Sequence, residues 1–304
     1  MRAGITAMAA PEKARVFYGE PMAKHTSWRV GGPADVYFKP RSRDELVAFL
    51  RRLDPAQPVH WLGLGSNLLV RDGGVRGVVI VTAGCLEHLR HIGDGLVEAE
   101  AGVPCTVLAR HCARWLVGPA EFFAGIPGTV GGALTMNAGA FGSETWSHVT
   151  EVEVVNRRGG VSRRSPSDYR VGYREVRGPG NEWFLSARFR FDPQRPTSLE
   201  GVRALIQQRQ AKQPLGMPSC GSVFRNPPGD FAGRLIEAAG LKGARIGNAQ
   251  VSEKHANFII NTGGATAADI EALIGHVQAS VERAHGVRLI PEVHVIGEPA
   301  QDAA

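Results

Sequence analysis

The sequence predicts an α+β fold, and three observations lead to that prediction. Segments with strand-like alternation, such as residues 150–156, are interspersed with amphipathic helical segments, such as residues 42–53. No internal repeat is visible, and near residue 196 the predicted pattern changes from strands with short helices to longer helices. The chain has 304 residues, 43% of them hydrophobic and 21% charged. This length allows two or three domains with their own cores, and the apolar fraction excludes a disordered protein.

The first 195 residues predict strands separated by short helices. Ser42 and Glu45 have the spacing of a capping box, so a helix is expected to begin there. Its apolar face consists of Leu46, Phe49, Leu50 and Leu53. A second helix is predicted from about Pro104 to Trp115. The predicted strands are residues 34–39, 60–64, 77–81, 96–102, 150–156 and 182–191.

Beyond a predicted domain boundary near residue 196, longer helices dominate. The first is expected to turn Leu199, Val202, Leu205 and Ile206 inward. A short helix over residues 230–239 should end at Gly240. A third helix, capped by Thr266 and closed by Gly286, carries a core stripe of Ile270, Leu273, Ile274, Val277 and Val281. Strands are predicted at residues 257–262 and 288–297.

Charge and cysteine content narrow the classes of partner. Lys and Arg exceed Asp and Glu by 35 to 29, a formal charge of +6 that suits anionic ligands such as nucleotides. The arginines are scattered, which favours a solvated surface over a nucleic-acid stripe. The four cysteines form no CxxC motif, so neither a metal site nor a disulfide scaffold is expected. No signal peptide and no membrane-length apolar run is visible, so we expect a cytoplasmic protein.

Glycine contributes 38 of the 304 residues, well above the average usage of roughly 7%, which indicates many tight turns or close approaches. In the first glycine-rich loop, WLGLGSNLLV, a strand leads into Gly63, Gly65, Ser66 and Asn67. Such a turn can present consecutive N–H groups to an anion. The loop is neither a Walker A motif nor a Rossmann fingerprint. A simple tight turn between two strands remains the alternative.

The second glycine-rich segment, EFFAGIPGTVGGALTMNAGAFGSE, spans residues 121–144. It carries apolar residues and almost no charge between its glycines, unlike a flexible linker, which would be polar and rich in serine. This pattern is typical of backbone pressed against a flat or phosphorylated ligand. Close packing of the protein's own strands is the alternative.

Several polar side chains could carry chemistry. Ser222 follows a turn and precedes an apolar pair, but no GxSxG elbow surrounds it, so a hydrolase is not indicated. Cys220 is more typical of a buried apolar residue than of a catalytic one. Glu292 lies in an apolar strand-like run and either faces solvent or is held for a purpose. Tyr173 and Arg174 are equally ambiguous.

The order of the motifs carries a resemblance over about residues 20–298. HTSWRVGGPADVYFKP, GLGSNLLV, AGIPGTVGGALTMNAGAFG, GYR, PSCGSVFRNP, AGRLIEAAGLKG, HANFIIN and PEVHVIG together resemble the UDP-N-acetylenolpyruvoylglucosamine reductase family. The chain is similar to the shorter type of this family, without the tyrosine-loop segment. The resemblance implies a two-part FAD-binding module of the p-cresol methylhydroxylase and vanillyl-alcohol oxidase type. Its parts would be residues 1–84 and 85–195, followed by an α+β domain for the UDP-sugar over residues 196–304.

The resemblance also implies roles for individual residues. Non-covalent FAD would contact Gly63, Gly65, Ser66, Asn67, Leu68, Gly125, Ile126, Pro127, Gly128, Thr129, Gly131, Gly132, Asn137, Ala138 and Gly139. The catalytic residues would be Arg174, Ser222 and Glu292, and the substrate-binding residues Tyr173, Lys212 and Asn226. NADPH would reduce the flavin, and UDP-N-acetylglucosamine enolpyruvate would then be reduced to UDP-N-acetylmuramate for peptidoglycan. No metal, nucleic acid, membrane or obligatory protein partner is implied.

Three positions depart from the family pattern. His25 stands where Asn is common, Arg225 where Lys is frequent, and Val176 where Ser is common. The last departure leaves Arg170 as a rival to Arg174, although the spacing favours Arg174. Two other functions remain open, another FAD-dependent oxidase or dehydrogenase of the same superfamily, and a basic nucleotide- or RNA-binding protein without catalysis.

Overall fold

The computed structural model describes residues 15–300 and contains helices and strands in mixed order, which confirms the α+β prediction. The helices are α1 (Arg43–Arg52), α2 (Cys105–Trp115), α3 (Val130–Met136), α4 (Leu199–Lys212), α5 (Ala232–Ala238) and α6 (Ala267–His285). The strands are β1 (Arg15–Pro21), β2 (Pro33–Lys39), β3 (Val59–Leu62), β4 (Leu68–Val70), β5 (Val75–Val81), β6 (Leu89–Gly93), β7 (Leu96–Glu100), β8 (Gly139–Ala140), β9 (Ser143–Glu144), β10 (Val149–Asn156), β11 (Val161–Arg164), β12 (Arg170–Gly172), β13 (Glu175–Arg177), β14 (Glu182–Arg190), β15 (Arg245–Ile246), β16 (Ala249–Val251), β17 (Ile259–Asn261) and β18 (His294–Ile296).

The first sheet has the order β1-β2-β5-β3, in which β1 pairs antiparallel with β2 and the other pairs are parallel. Helix α1 covers it, and Leu46 and Leu50 are buried beside Phe38 of β2. The predicted cap is present, since the hydroxyl of Ser42 accepts a hydrogen bond from the amide of Glu45 at 3.1 Å. The edge strand β3 leads directly into the first glycine-rich loop.

The second sheet is antiparallel, with the order β11-β10-β14-β7-β6. Its apolar face packs on α2 and α3, and Leu108 and Leu134 are fully buried there. Val202 of α4 belongs to the same core, and α4 packs on α2 and on the turn Glu121–Gly125. Leu199 was expected to face inward but is exposed, because it occupies the first turn of α4, before the helix reaches this core.

The C-terminal region packs α5 and α6 on the three-stranded sheet β15-β16-β17. The predicted stripe of α6 is buried, the hydroxyl of Thr266 caps the helix, and Gly286 ends it with a φ of +68°. Trp28 and Leu69 of the N-terminal half belong to this core as well.

The end of the chain returns to the first glycine-rich loop. Only residues 294–296 of the predicted strand 288–297 form β18, which pairs parallel with β4. Arg71, just after β4, forms an ion pair with Glu271 of α6, and the Asp72 carboxylate accepts hydrogen bonds from the amides of Ala267 and Ala268. The C-terminal region is therefore fastened to the segment that follows this loop. The boundary near residue 196 stays a prediction.

Candidate active site

A cavity of about 1110 Å³ lies where the two sheets and the C-terminal region meet. All but three of the predicted site residues line it, and these come from segments far apart in sequence. The cofactor candidates that line it are Gly63, Gly65, Ser66, Asn67, Leu68, Gly125, Ile126, Pro127, Gly128, Thr129, Gly131, Gly132, Ala138 and Gly139. Arg174, Ser222, Glu292 and Lys212 line it too. The cavity is large enough for more than one small molecule of ordinary ligand size.

The first glycine-rich loop presents its backbone to the cavity. Within residues 15–300, the amide N–H groups of residues 63–67 donate no hydrogen bond to a protein atom. Gly65 has a φ of +61°, and a Cβ at this position would overlap the carbonyl oxygen of His25. Glycine is therefore required here by both conformation and space. A run of unpaired amides is the arrangement that binds anions such as phosphates.

The second glycine-rich segment lies against the first. A Cβ on Gly63 would come within 2.6 Å of the Thr129 hydroxyl, so the two loops approach closely. A Cβ on Gly125 would collide with Ala140 and Phe141, and one on Gly131 would lie tightly against Ala101, whereas a Cβ on Gly132 would meet only ordinary contacts. Some glycines of this segment are thus required by packing of the protein against itself, which was the alternative explanation. Others, such as Gly132, line the cavity with space around them.

Arg174 enters the cavity from the turn between β12 and β13. Its φ is +56°, a left-handed conformation that is uncommon for a side chain of this size. The guanidinium donates hydrogen bonds to the carbonyl oxygens of Asn137 (3.4 Å) and Gly139 (3.0 Å). Its Nε lies 3.1 Å from Oε1 of Glu292. Arg170 is exposed at the start of β12 and does not line the cavity.

Glu292 is held by its backbone and faces Arg174. Its amide donates to the carbonyl oxygen of Val223, and its carbonyl accepts from the side-chain amide of Asn67 at 3.0 Å. Burial raises the pKa of the Glu292 carboxyl, and the nearby positive charges of Arg174 and Arg225 oppose that rise only in part. A carboxyl with a raised pKa keeps its proton to a higher pH than an ordinary glutamic acid.

Ser222 lies on a loop that is fixed on both sides. The side chain of Asn257 accepts from the amide of Phe224 and donates to its carbonyl oxygen, which holds the segment after Ser222. Before it, the buried thiol of Cys220 lies 3.5 Å from the carbonyl oxygen of Leu68. Burial raises the pKa of Cys220 to about 12, so this thiol is a packing group rather than a nucleophile.

Helix α4 contributes cations to the same cavity. Lys212 was predicted as a substrate contact, and Arg209, one turn earlier, was not recognised from sequence. The guanidinium of Arg209 donates to the neutral side chain of Gln213 at 2.7 Å, and burial lowers its pKa. A half-buried cation without an acidic partner among the described residues is suited to binding an anion. Arginines are common on the solvent-exposed face of an amphipathic helix. The sequence alone therefore does not distinguish Arg209 from such a surface residue.

Three predicted residues lie outside the cavity lining. Asn137 is buried, and its side chain donates to Glu144 and accepts from the amide of Trp146. Tyr173 is 47% exposed beside Arg174. Asn226 accepts a hydrogen bond from the amide at the start of α5.

Residues 15–300 contain no cluster of three or more His, Cys, Asp or Glu side chains that could hold a metal ion. No helix in that range is long and apolar enough to cross a membrane.

Comparisons with known proteins identify the family of this chain. The C-terminal domain of UDP-N-acetylenolpyruvoylglucosamine reductase matches residues 213–296, and an FAD binding domain matches residues 34–165. A protein named UDP-N-acetylenolpyruvoylglucosamine reductase from Alkalilimnicola ehrlichii is 62% identical over 280 residues, covering 92% of this chain and 94% of that protein. Another of that name, from Methylococcus capsulatus, is 55% identical over 300 residues and 98% of each chain.

A solved structure supports the same assignment. The crystal structure of UDP-N-acetylenolpyruvylglucosamine reductase from Thermus caldophilus superposes with a TM-score of 0.78 and 32% identity, covering 93% of this chain and 98% of that chain. Fold, domain matches and sequence identity over nearly the whole length thus agree. The chain belongs to the UDP-N-acetylenolpyruvoylglucosamine reductase family.

Proposed function

We propose that this protein reduces UDP-N-acetylglucosamine enolpyruvate to UDP-N-acetylmuramate, with non-covalent FAD as cofactor and NADPH as reductant. One observation carries the proposal. Arg174, Ser222 and Glu292, from three distant segments, line one cavity together with a loop, residues 63–67, that offers unpaired amides. The family membership of the chain supports the same reaction, and neither a flavin oxidase nor an RNA-binding protein is favoured.

The residues present fit FAD. The amides of residues 63–67 suit its diphosphate, and the open backbone at Gly132 leaves room beside them. When bound, FAD would supply the redox chemistry, as the acceptor of a hydride from NADPH and its donor to the outer carbon of the enolpyruvyl double bond. Asn67 joins the cofactor loop to the carbonyl oxygen of Glu292, so the two parts of the site are held in register.

Arg174 and Glu292 stabilise the negative charge that develops on the substrate. Addition of hydride to the outer carbon leaves an electron pair on the carbon next to the carboxylate, an enolate-like state. The guanidinium of Arg174 is held in place by two backbone carbonyls, so its positive charge needs no reorganisation during the reaction. In its protonated form, which burial favours by raising the pKa of this carboxyl, Glu292 donates a hydrogen bond to the same state.

Ser222 completes the reaction by donating its hydroxyl proton to the carbon that bears the carboxylate. One hydride and one proton then add across the double bond, and solvent returns a proton to the serine. A hydroxyl is a weak acid, so the step depends on a strongly basic carbanionic carbon and on correct placement. Asn257 and Cys220 fix the loop from both sides and supply that placement.

Phosphates of the UDP-sugar are proposed to bind Lys212 and Arg209 at the α4 side of the cavity. Tyr173 and Asn226, which lie outside the lining, are proposed to contact substrate at the rim when it is bound.

We further propose three domains, with α4 at the junction of the second and third. A cytoplasmic location and a role in peptidoglycan precursor synthesis, and through it in cell shape and division, follow from a nucleotide-sugar substrate.

Purified protein tests the proposal directly. It should be yellow, release FAD on acid denaturation, and sustain repeated turnover of NADPH only when the enolpyruvyl substrate is present. Both reductant and substrate would use the same flavin in turn. Double-reciprocal plots of initial rate against one of them, at several fixed concentrations of the other, should therefore give parallel lines. A colourless protein that takes up no added FAD would refute the proposed function.

A further inference from the structure

One end of the cavity is aromatic. Trp61, from β3 of the first sheet, and Trp183, from β14 of the second sheet, both line it. Their rings are stacked, with centroids 5.1 Å apart and planes at 21°. Each side chain is only partly buried, so the pair presents aromatic surface to the cavity instead of being enclosed in a core. Trp61 opens the first glycine-rich motif, WLGLGSNLLV, whereas Trp183 lies in a strand outside the glycine-rich motifs.

Trp61 also carries an unsatisfied hydrogen-bond donor. Its Nε1 is buried and has no partner among residues 15–300. Buried indole N–H groups normally find an acceptor, since leaving one unpaired costs free energy.

The charges around this end are already paired. The carboxylate of Glu182 accepts hydrogen bonds from Nη2 (2.6 Å) and Nε (3.1 Å) of Arg164. Nη2 of Arg177 lies 2.6 Å from Oε1 of Glu175. The α4 side of the cavity differs, because it holds cations that have no acidic partner in the described part of the chain. An uncharged aromatic ring is therefore better suited to the tryptophan end than a phosphate is.

The tryptophan end lies close to the unpaired amides of the first loop. Trp61 precedes Gly63 by two residues, a separation of about 7 Å along an extended strand. We propose that Trp61 and Trp183 hold the adenine ring of FAD, with the diphosphate on the amides of residues 63–67. The inference rests on the proposed function, because it takes FAD as the ligand of this cavity, and it assigns the adenine to two side chains of this chain.

The test compares ligands that contain or lack adenine. Trp183→Leu should weaken binding of FAD to the full-length chain by roughly 5- to 100-fold, the range expected for loss of one base-stacking side chain. FMN has the flavin but no adenylate, so its affinity should not change. ADP has the adenine but no flavin, and its affinity should fall by the same factor as that of FAD. Flavin fluorescence and equilibrium dialysis measure all three without reference to turnover.

Two further variants separate stacking from hydrogen bonding and from general damage. Trp61→Phe keeps an aromatic ring but removes the indole N–H, so it should weaken FAD less than Trp183→Leu does. Trp115→Leu is the matched control, because Trp115 stacks on His91 away from the cavity, and its FAD affinity should equal that of the wild type. Circular dichroism establishes folding, and Trp183→Phe replaces Trp183→Leu if the latter does not fold.

The possible outcomes are distinct. Equal weakening of FAD and FMN would show a structural role for the tryptophans and overturn the inference. Unchanged FAD affinity in a folded Trp183→Leu protein would place the adenine elsewhere, and a fall in UDP affinity alone would assign this end to the uridine. Wild-type protein that binds no FAD would refute the proposed function itself. Failure of the variant alone leaves that function standing.

Discussion

Two neighbouring parts of the cavity lining offer different kinds of group to a ligand. Around residues 63–67 the protein offers backbone amides, and the residue types there are constrained by the turn itself. Around Arg174, Ser222 and Glu292 it offers side chains, each held by backbone contacts from another segment. Substitutions in residues 63–67 should therefore change cofactor affinity and folding. Substitutions of Arg174, Ser222 or Glu292 should instead change the reaction rate and leave the cofactor bound.

The largest effect is expected for Ser222→Ala. Loss of a positioned proton donor typically costs roughly 10²–10⁴-fold in rate, and turnover with the enolpyruvyl substrate should fall by at least that much. Ser222→Cys should retain more activity than Ser222→Ala, since a thiol can still deliver a proton. Ser219→Ala is the matched control, because Ser219 lies in the same loop but not in the cavity lining, and it should leave turnover nearly unchanged.

Arg174→Ala should have the next largest effect. Removing one electrostatic stabiliser of a developing negative charge costs roughly 10²–10³-fold in kcat, while bound FAD should remain. Arg174→Lys should recover only part of the rate, since an ammonium cannot reproduce the contacts of the guanidinium with two carbonyl oxygens. Arg170→Ala is the control, because Arg170 is exposed at the start of β12 and does not line the cavity. If it proved as damaging as Arg174→Ala, the assignment of the functional arginine would be wrong.

Gly65→Ala tests the backbone part of the lining. A left-handed conformation costs an Ala roughly 1–2 kcal/mol, and the overlap with the carbonyl oxygen of His25 adds to it. We expect a lower free energy of unfolding in urea and weaker FAD binding. Gly275→Ala provides the contrast, because Gly275 lies exposed within α6 with free space around it. That change should raise stability by about 0.5–1 kcal/mol. Equal effects of the two would contradict the close packing described for the loop.

The smallest effect is a change in pH dependence. Burial raises the pKa of Glu292, against the opposing charges of Arg174 and Arg225, and His294 of β18, two residues further on, also lines the cavity. The reaction with the enolpyruvyl substrate should slow as pH rises through the raised pKa, because the carboxyl loses its proton. Glu292→Gln, which does not titrate, should lack that alkaline limb. Glu298→Gln, on the exposed terminal segment, should keep it.

The same pKa shift affects stability with a definite sign. A carboxyl whose pKa is higher in the folded than in the unfolded state holds more protons when folded. The free energy of unfolding should therefore fall as pH rises from the ordinary pKa of a glutamic acid through the raised one. Glu292→Gln should remove this contribution, as urea unfolding across that pH range would show.

Local features were predictable from sequence because their causes are local. Ser42 and Thr266 cap helices where the spacing indicates, and Gly286 ends α6 in the left-handed conformation that glycine favours. The unpaired amides of residues 63–67 follow from the glycine pattern of one loop. Such elements need no knowledge of distant parts of the chain.

Contacts between distant segments were not predictable in the same way. The hydrogen bond from Asn67 to Glu292 joins residues 225 positions apart, and nothing in either neighbourhood indicates it. Arg209 and Trp183 have ordinary local contexts, and nothing near Trp61 indicates that it stacks on Trp183, so only the assembled cavity reveals these contacts. The proposed catalytic residues were predicted through the family resemblance of their motifs, since the residue types alone left them ambiguous.

The most direct measurement is stopped-flow absorbance of the flavin in Ser222→Ala protein, with the two half-reactions followed separately. Reduction of the bound flavin by NADPH should proceed at nearly the wild-type rate, because the hydroxyl has no part in it. Reoxidation by the enolpyruvyl substrate should slow by roughly 10²–10⁴-fold or more. Equal slowing of both half-reactions would contradict the account, because it would make Ser222 a structural residue whose loss disturbs both parts of the cavity lining.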